Sequence, residues 1–497
     1  MHSINALTAK VLVLAIAVGI GSKATAVRAD ELQDVKAQIE ALQKRVGEME
    51  ARQPAQPVEG NGADYAKSPP IVGDDGSLTF HGITLYGTVD IGVGYQNHGT
   101  PLSNVAGLGL EYLISKNSKG SQFGFAPNAM SSSNIGLKGT VEIIPGASAI
   151  FNLQTSFLPN SGRLADGLGS LVQNNGVPLG SQTSNADSSK NGQAFNTAAW
   201  AGLSSPTYGA LTFGRQNALT LDGVLAYDPM GGSGAFSVIG YQGATAGAGA
   251  TEDARFDNAI KYRVSYDQFR VSALYRFGAS GSNAYQVGAG VNYLGASFDA
   301  IYSRVNDAVT AAPLASVAAI TPAQLASAGS GLVAGTVSDN TSFMLLAKYG
   351  TGLVQPFAGY EYIQFANPGH PLEVGSQIPN SGGGYSLGAV NNNAFANKKV
   401  LQVFWLGAKY AVRDDIDLIA AYYFEQQNSF QGNGCSNNTF AACSGQLNAV
   451  SFVADYRFAK RFDAYAGVMY SKVSNGLSSG FLNTSTVDPI VGLRFTF

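Results

Sequence analysis

The chain has 497 residues and a formal net charge of -3, and only 13% of its residues are charged, roughly half the usual share. So few charges would not cover a soluble surface of this size, and a near-neutral balance leaves no basic footprint for nucleic acid. Beyond the N-terminal region no apolar run reaches the about 18 residues a membrane-spanning helix needs.

Residues 1–29 place Lys10 before an apolar core, Val11 to Gly21, with small-residue sites after Ala26 or Ala29. This is the pattern of a secretory signal peptide. At about 1.5 Å per residue the apolar core is too short to cross a bilayer as a helix. Residues 30–53 follow, with Leu32, Val35, Ile39, Leu42, Val46 and Met49 spaced alternately by three and four. That spacing predicts a coiled-coil seam, a lone amphipathic helix being the alternative reading. Arg45 and Glu50 fall at g and e positions that can pair between parallel chains, and "RVGEME" resembles a trimer-favouring pattern. A Pro/Gly-rich linker over 54–79 then separates this helix from the body of the protein.

From residue 80 to 497 the chain repeats one device, a segment of about ten residues alternating apolar with polar or small, then a turn. The first is "ITLYGTVDIGVGY", with Leu85, Val89, Ile91, Val93 and Tyr95 on one face and Thr84, Thr88, Asp90 and Gln96 on the other. "SNIGLKGTVEII" and "ASAIFNLQTSF" follow around Pro145-Gly146, and the series runs to the closing "VGLRFTF". Sixteen candidate strands result, and their connections alternate short with long. The fold class expected is all-β, a sixteen-stranded antiparallel transmembrane barrel preceded by a short α-helical coiled coil. Ten residues at about 3.3 Å each, tilted about 45°, rise roughly 23 Å, the height of the apolar band of such barrels. In that reading Val450, Phe452, Ala454, Tyr456 and Phe458 meet lipid, and Ser451, Asp455 and Arg457 meet water inside. A soluble sandwich or propeller would share the alternation, but the low charge favours the membrane. The short turns are then periplasmic, as is the coiled coil.

Cys435 and Cys443 are the only cysteines, both in a polar, Asn-rich stretch. In an exported protein they are expected to form a loop disulfide, with two free thiols as the alternative. Two thiols with no nearby histidine do not make a metal site. The histidines, His2, His81, His98 and His370, show no spacing to a nucleophile or to each other. No catalytic residues, metal or cofactor are therefore expected.

The strand segments "ITLYGTVDIGVGY", "SSNIGLKGTVEI", "AWAGLSSPTYGALTFGRQN" and "VGLRFTF" resemble those of the Gram-negative general porins, the trimeric, sixteen-stranded proteobacterial type. The resemblance covers about 80–497 and is weak in the loops. It implies that the third long loop, about 217–255, folds into the barrel with acidic residues facing a basic wall. Asp222 and Asp228 are the loop acids it suggests, with Glu252 and Asp253 nearer the loop's end. Lys138 in "GLKG" and Arg215 in "FGRQ" fall at the basic wall positions, while Asn134 stands where many relatives carry Arg. Strict alternation sets Arg215 beside Leu211 and Phe213, so a bulge would be needed to turn it inward. Alternation adds Lys261, Arg263, Arg270, Arg276, Lys348 and Arg494 as lumen cations, and Asp90, Glu142, Asp267, Glu361, Asp455 and Asp463 as lumen acids.

The resemblance further implies a homotrimer in outer-membrane lipid and lipopolysaccharide, inserted by the barrel-assembly machinery through a C-terminal signal ending at Phe497. The function expected is passive diffusion of ions and small hydrophilic solutes through a water-filled pore. A substrate-selective channel for a sugar or organic acid, or an envelope tether anchored by a barrel, are the alternatives.

Overall fold

The computed structural model describes Lys44 and residues 78–497, except 106–111, 113, 185–189, 240–253, 279–280, 315–330, 351, 380, 383, 432–434 and 436–439. The signal sequence, the six seam positions, Arg45, Glu50 and most of the linker lie outside the described residues, as do Glu252 and Asp253. Lys44 is helical.

The strands in chain order are β1 (Leu78–Phe80), β2 (Ile83–Gly99), β3 (Gly120–Pro127), β4 (Asn134–Ile144), β5 (Ala147–Ser156), β6 (Ala198–Ser205), β7 (Gly209–Asn217), β8 (Arg255–Tyr266), β9 (Phe269–Arg276) and β10 (Ala284–Tyr293). They continue with β11 (Ala296–Ala312), β12 (Leu332–Tyr349), β13 (Val354–Ala366), β14 (Ser386–Asn391), β15 (Lys399–Arg413), β16 (Ile416–Gln427), β17 (Gly445–Ala459), β18 (Phe462–Asn475) and β19 (Ser485–Thr496). Helix α1 (Gly167–Gln173) lies between β5 and β6, and α2 (Leu219–Tyr227) between β7 and β8.

All nineteen strands join one sheet that closes on itself. They make sixteen crossings, because β1 is a short leader, β3 and β4 share one crossing, and β14 sits in an extracellular loop. Closure matters because a bilayer offers nothing to hydrogen-bond a free strand edge. The seam is the antiparallel pair β2–β19, from Ile490 opposite Gly94 to Thr496 opposite Thr88. Just past it, Gly87 and Phe497 exchange both backbone hydrogen bonds, each 3.0 Å. Phe497 also stacks on Phe495 at 5.6 Å between centroids, and Phe495 on Phe462 at 4.6 Å. Deleting Phe497 is therefore expected to cost about 2 kcal/mol from the two hydrogen bonds alone, read as a lower urea midpoint for the detergent-solubilised barrel.

The strand faces follow the pleat. On β17, Val450 and Phe452 are 51% and 48% exposed on the outer surface while Ser451 and Asp455 are 2% and 5% exposed. Tyr456 packs on Phe458 and Phe458 on Phe462, continuing an outward aromatic row toward the seam.

The sixteen predicted segments are all strands, but the loops between them are shorter than the alternation suggests. The connection between the first two predicted segments contains β3, which pairs with the upper half of β2 while β4 pairs with its lower half. The break between β3 and β4 is made by Asn128, whose φ is 59°. Likewise β11 and β12 run on as a hairpin beyond the band expected to be strand, and β14 adds to β12 in parallel. Cys435 and Cys443 are joined by a disulfide in the β16–β17 loop.

Candidate functional site

Loop 3 leaves β7 at Asn217 and turns inward as α2. Its sequence, LTLDGVLAY, carries no side-chain N-cap, so its free backbone groups must be satisfied by the wall. Gln286 on β10 accepts from Leu219 N at 2.5 Å. At the other end, Lys348 on β12 donates to Ala226 O at 2.9 Å, and the Trp405 indole on β15 donates to Tyr227 O at 3.1 Å. A lysine at a helix C-terminus also complements the helix dipole.

The helix lies close to the wall because Gly223 has no side chain. An added Cβ there would sit 2.8 Å from Leu346 Cδ1, 3.0 Å from Ile301 Cδ1 and 3.1 Å from Met344 Sδ. Gly223→Val is thus expected to push α2 toward the lumen and lower single-channel conductance by roughly a third.

Beyond α2 the loop crosses to the far wall. Asp228 accepts from Tyr423 OH at 2.7 Å, Gly232 N at 2.9 Å and Met230 N at 3.2 Å. It is buried, so it joins loop to wall and does not face the lumen as a loop acid was expected to. Burial pushes its carboxyl above the usual range, against the lowering effect of its donors. Further on, Ala235 N and Ser233 Oγ donate to Ala129 O at 2.8 and 2.7 Å, and Phe236 meets Tyr465 edge-on at 6.3 Å. The described residues of loop 3 therefore follow the inner wall from β8 to β18, and no hydrogen bond or ion pair among them reaches β4, β5 or β6.

The open crescent is bounded by Asp222 and Leu225 on the loop side. Asp222 pairs with two cations of β8, Lys261 at 2.8 Å and Arg263. Lys261 is buried, while the Arg263 side chain is 52% exposed. Lys138 on β4 lies over the Tyr86 ring at 5.2 Å and makes no ion pair among the described residues. At the start of the same strand Asn134 accepts from Gln154 at 2.9 Å.

Other candidates sit elsewhere. Arg215 does turn inward, at a register shift between Gly214 and Gln216. It is buried, donating to Asn196 O at 2.9 Å and pairing with Asp257 at 2.6 Å. Arg270 pairs with Asp299 at 3.1 Å beneath α2, and Arg276 is buried with its guanidinium over Phe256 at 5.3 Å. Asp267 occupies the tight turn between β8 and β9, with a φ of 53°. Glu142 is exposed at the periplasmic turn, accepting from Gly146 N at 3.4 Å. Arg494 bridges Asp463 at 2.6 Å and Asp455 at 3.4 Å, and Arg457 pairs with Asp417 at 2.6 Å. Glu361 is buried on β13. Asp90 points inward but is fully covered, taken up by Tyr465 and by the backbone at the β3–β4 break.

A family model described as Gram-negative porin matches residues 61–476. The chain belongs to the Gram-negative porins. As such, it is a protein of the bacterial outer membrane. This porin is 28% identical over 203 residues to an outer membrane porin protein of Bordetella pertussis, covering 41% of this chain and 44% of the relative. The match thus spans less than half the length of that relative. Among solved structures, the anion-selective porin of Comamonas acidovorans aligns with a TM-score of 0.54 at 15% identity, covering 84% of this chain and 99% of the other. OmpT of Vibrio cholerae in its trimer form aligns with a TM-score of 0.50 at 14% identity, covering 84% and 99%. At these identities the structures speak for the fold.

Proposed function

We propose that this porin is a water-filled channel for passive diffusion of ions and small hydrophilic solutes, with a mild preference for anions. The observation that carries the reading is the crescent between α2 and the β4–β8 wall, where the exposed cations Lys138 and Arg263 outnumber Asp222, which is also paired to the buried Lys261. Fixed charge at a constriction filters ions at short range. Asn134 contributes no cation at the wall, so the preference is modest. The spaced seam of residues 30–53 supports self-association, and a homotrimer is the assembly proposed. Outer-membrane lipid and lipopolysaccharide are its proposed surroundings, and Phe497 its contact with the assembly machinery. Single-channel current of the purified protein under a KCl gradient tests the reading. Current steps in threes with a reversal potential on the chloride side are expected, and a folded barrel that passes no current would overturn it.

A further inference from the structure

Loop 2, residues 157–197, connects β5 to β6, and its described residues are fastened at two places, one close to β5 and one far from both strands. One fastening is to the β2–β3 loop. Ser103 Oγ donates to Gln173 Oε1 at 2.6 Å, Asn117 Nδ2 to Thr183 O at 2.6 Å, and Ser184 N to Pro101 O at 3.1 Å. The other is to the hairpin that β11 and β12 raise above the membrane. There Asn175 Nδ2 donates to Leu332 O at 2.7 Å and Asn175 Oδ1 accepts from Leu314 N at 2.8 Å. Leu168 and Leu171 of α1 are buried there in a cluster with Val333, Val337 and Leu387, separate from the main core. Tyr385 of the β13–β15 loop also donates to Asp166, which caps α1 through Gly169 N at 2.9 Å.

The placement of these fastenings gives them meaning. In the closed order of sixteen crossings, β2 and β11 are eight apart in either direction, so they face each other across the mouth. A loop held at the first and joined to the raised end of the β11–β12 hairpin forms, with that hairpin, a bridge over the opening between them. It is also braced within itself, since Asn174 ties the end of α1 to Thr183 at 2.9 and 3.0 Å. A buried apolar cluster plus paired backbone groups holds such a segment in place far better than a free surface loop.

We propose that loop 2 is a fixed strap across the extracellular mouth of this porin, and that the strap sets the upper size of solute admitted, separately from the ion filter at loop 3. The inference rests on the diffusion-channel reading above. Solutes pass beside the strap, so the limit is steric and falls on long or bulky molecules first.

The test compares the wild type with Leu168→Asp, which puts a charge into the far cluster, and with Asn175→Ala, which removes that fastening's hydrogen bonds. Proteoliposome swelling is measured with arabinose and with the tetrasaccharide stachyose. Release of the strap should raise the stachyose rate relative to arabinose about tenfold, with the KCl reversal potential unmoved because Asp222 and Arg263 are untouched. An unchanged ratio in both variants, each still showing the heat-dependent gel shift of a folded barrel, overturns the strap while leaving the channel reading intact.

A second readout needs no conduction. Leu225→Cys places a thiol on the lumen side of α2, where the native residue is 45% exposed, and the native cysteines are already paired. On intact cells, where reagents reach the pore through the extracellular mouth, a small maleimide should label it with or without the strap released, and a polyethylene-glycol maleimide only when it is released. Equal labelling by the large reagent in both forms overturns the proposal even if wild-type liposomes pass no solute, the result that would sink the channel reading itself.

Discussion

Asp222→Asn is expected to move the reversal potential under a KCl gradient well toward chloride. The carboxylate is the acid facing the crescent from the loop side, and it is shared by Lys261 and Arg263. Its loss leaves both cations uncompensated, the exposed Arg263 beside the permeating ions and Lys261 buried in the wall. A unit charge about 7 Å from an ion in water is worth about 0.6 kcal/mol, so chloride gains and potassium loses about threefold each. The permeability ratio then changes by nearly an order of magnitude at low salt and less at high salt, where screening shortens the reach of the charge. Lys138→Gln should move the potential the opposite way. Equal potentials for wild type and Asp222→Asn would place the ion filter elsewhere in the channel.

Asp90→Ala should be the most destabilising single change in the barrel wall. The carboxylate accepts from Tyr465 OH at 2.5 Å, Ser131 N at 2.6 Å and Met130 N at 2.8 Å. It joins β2 to β18 across the intervening β19, and it also satisfies the backbone where β3 gives way to β4. Alanine would leave two buried donors and the half-buried Ser131 N without this partner, a cost of about 3 to 5 kcal/mol. Tyr465→Phe removes the donor to the buried Asp90 Oδ1 while the other oxygen keeps its two backbone donors, and should cost about 2 kcal/mol. Urea midpoints for both variants and their double mutant give the coupling between the two side chains, and a small loss for Asp90→Ala would show the break to be held by other contacts.

The sequence made the barrel legible because alternation is a local property. Val450 and Ser451 declare their faces without reference to anything distant, and the same holds along each of the sixteen crossings. Arg215 shows where the rule bends: Leu211 and Phe213 point outward as alternation requires, and the bulge after Gly214 turns the arginine in. A glycine in mid-strand was the available signal, its φ of 123° being a conformation other residues seldom adopt. The site was harder to read because its parts are placed through space. Gln286, Lys348 and Trp405 hold α2 from three separate strands, and none lies within 50 residues of it along the chain. Asp228 carries the same side chain as Asp222, and only the position of Tyr423, 195 residues away, makes one a buried joint and leaves the other to face the pore. The strap formed by loop 2 is illegible for the same reason, since Leu168 and Leu171 find their apolar partners on β12 and β14.

The seam between β2 and β19 also constrains the order of events in making this protein. Its partners are separated by almost the whole described chain, so every other pairing can form before this one, and none of them removes the two open edges. An intermediate with most of its strands in place still exposes two unpaired backbones to the bilayer, and it gains the largest single relief when the final pair zips. Insertion should therefore be sharply cooperative in time. Chains interrupted late in β19 would accumulate as sticky, nearly complete sheets, recognisable to proteases by their edges even though most of the barrel is already built.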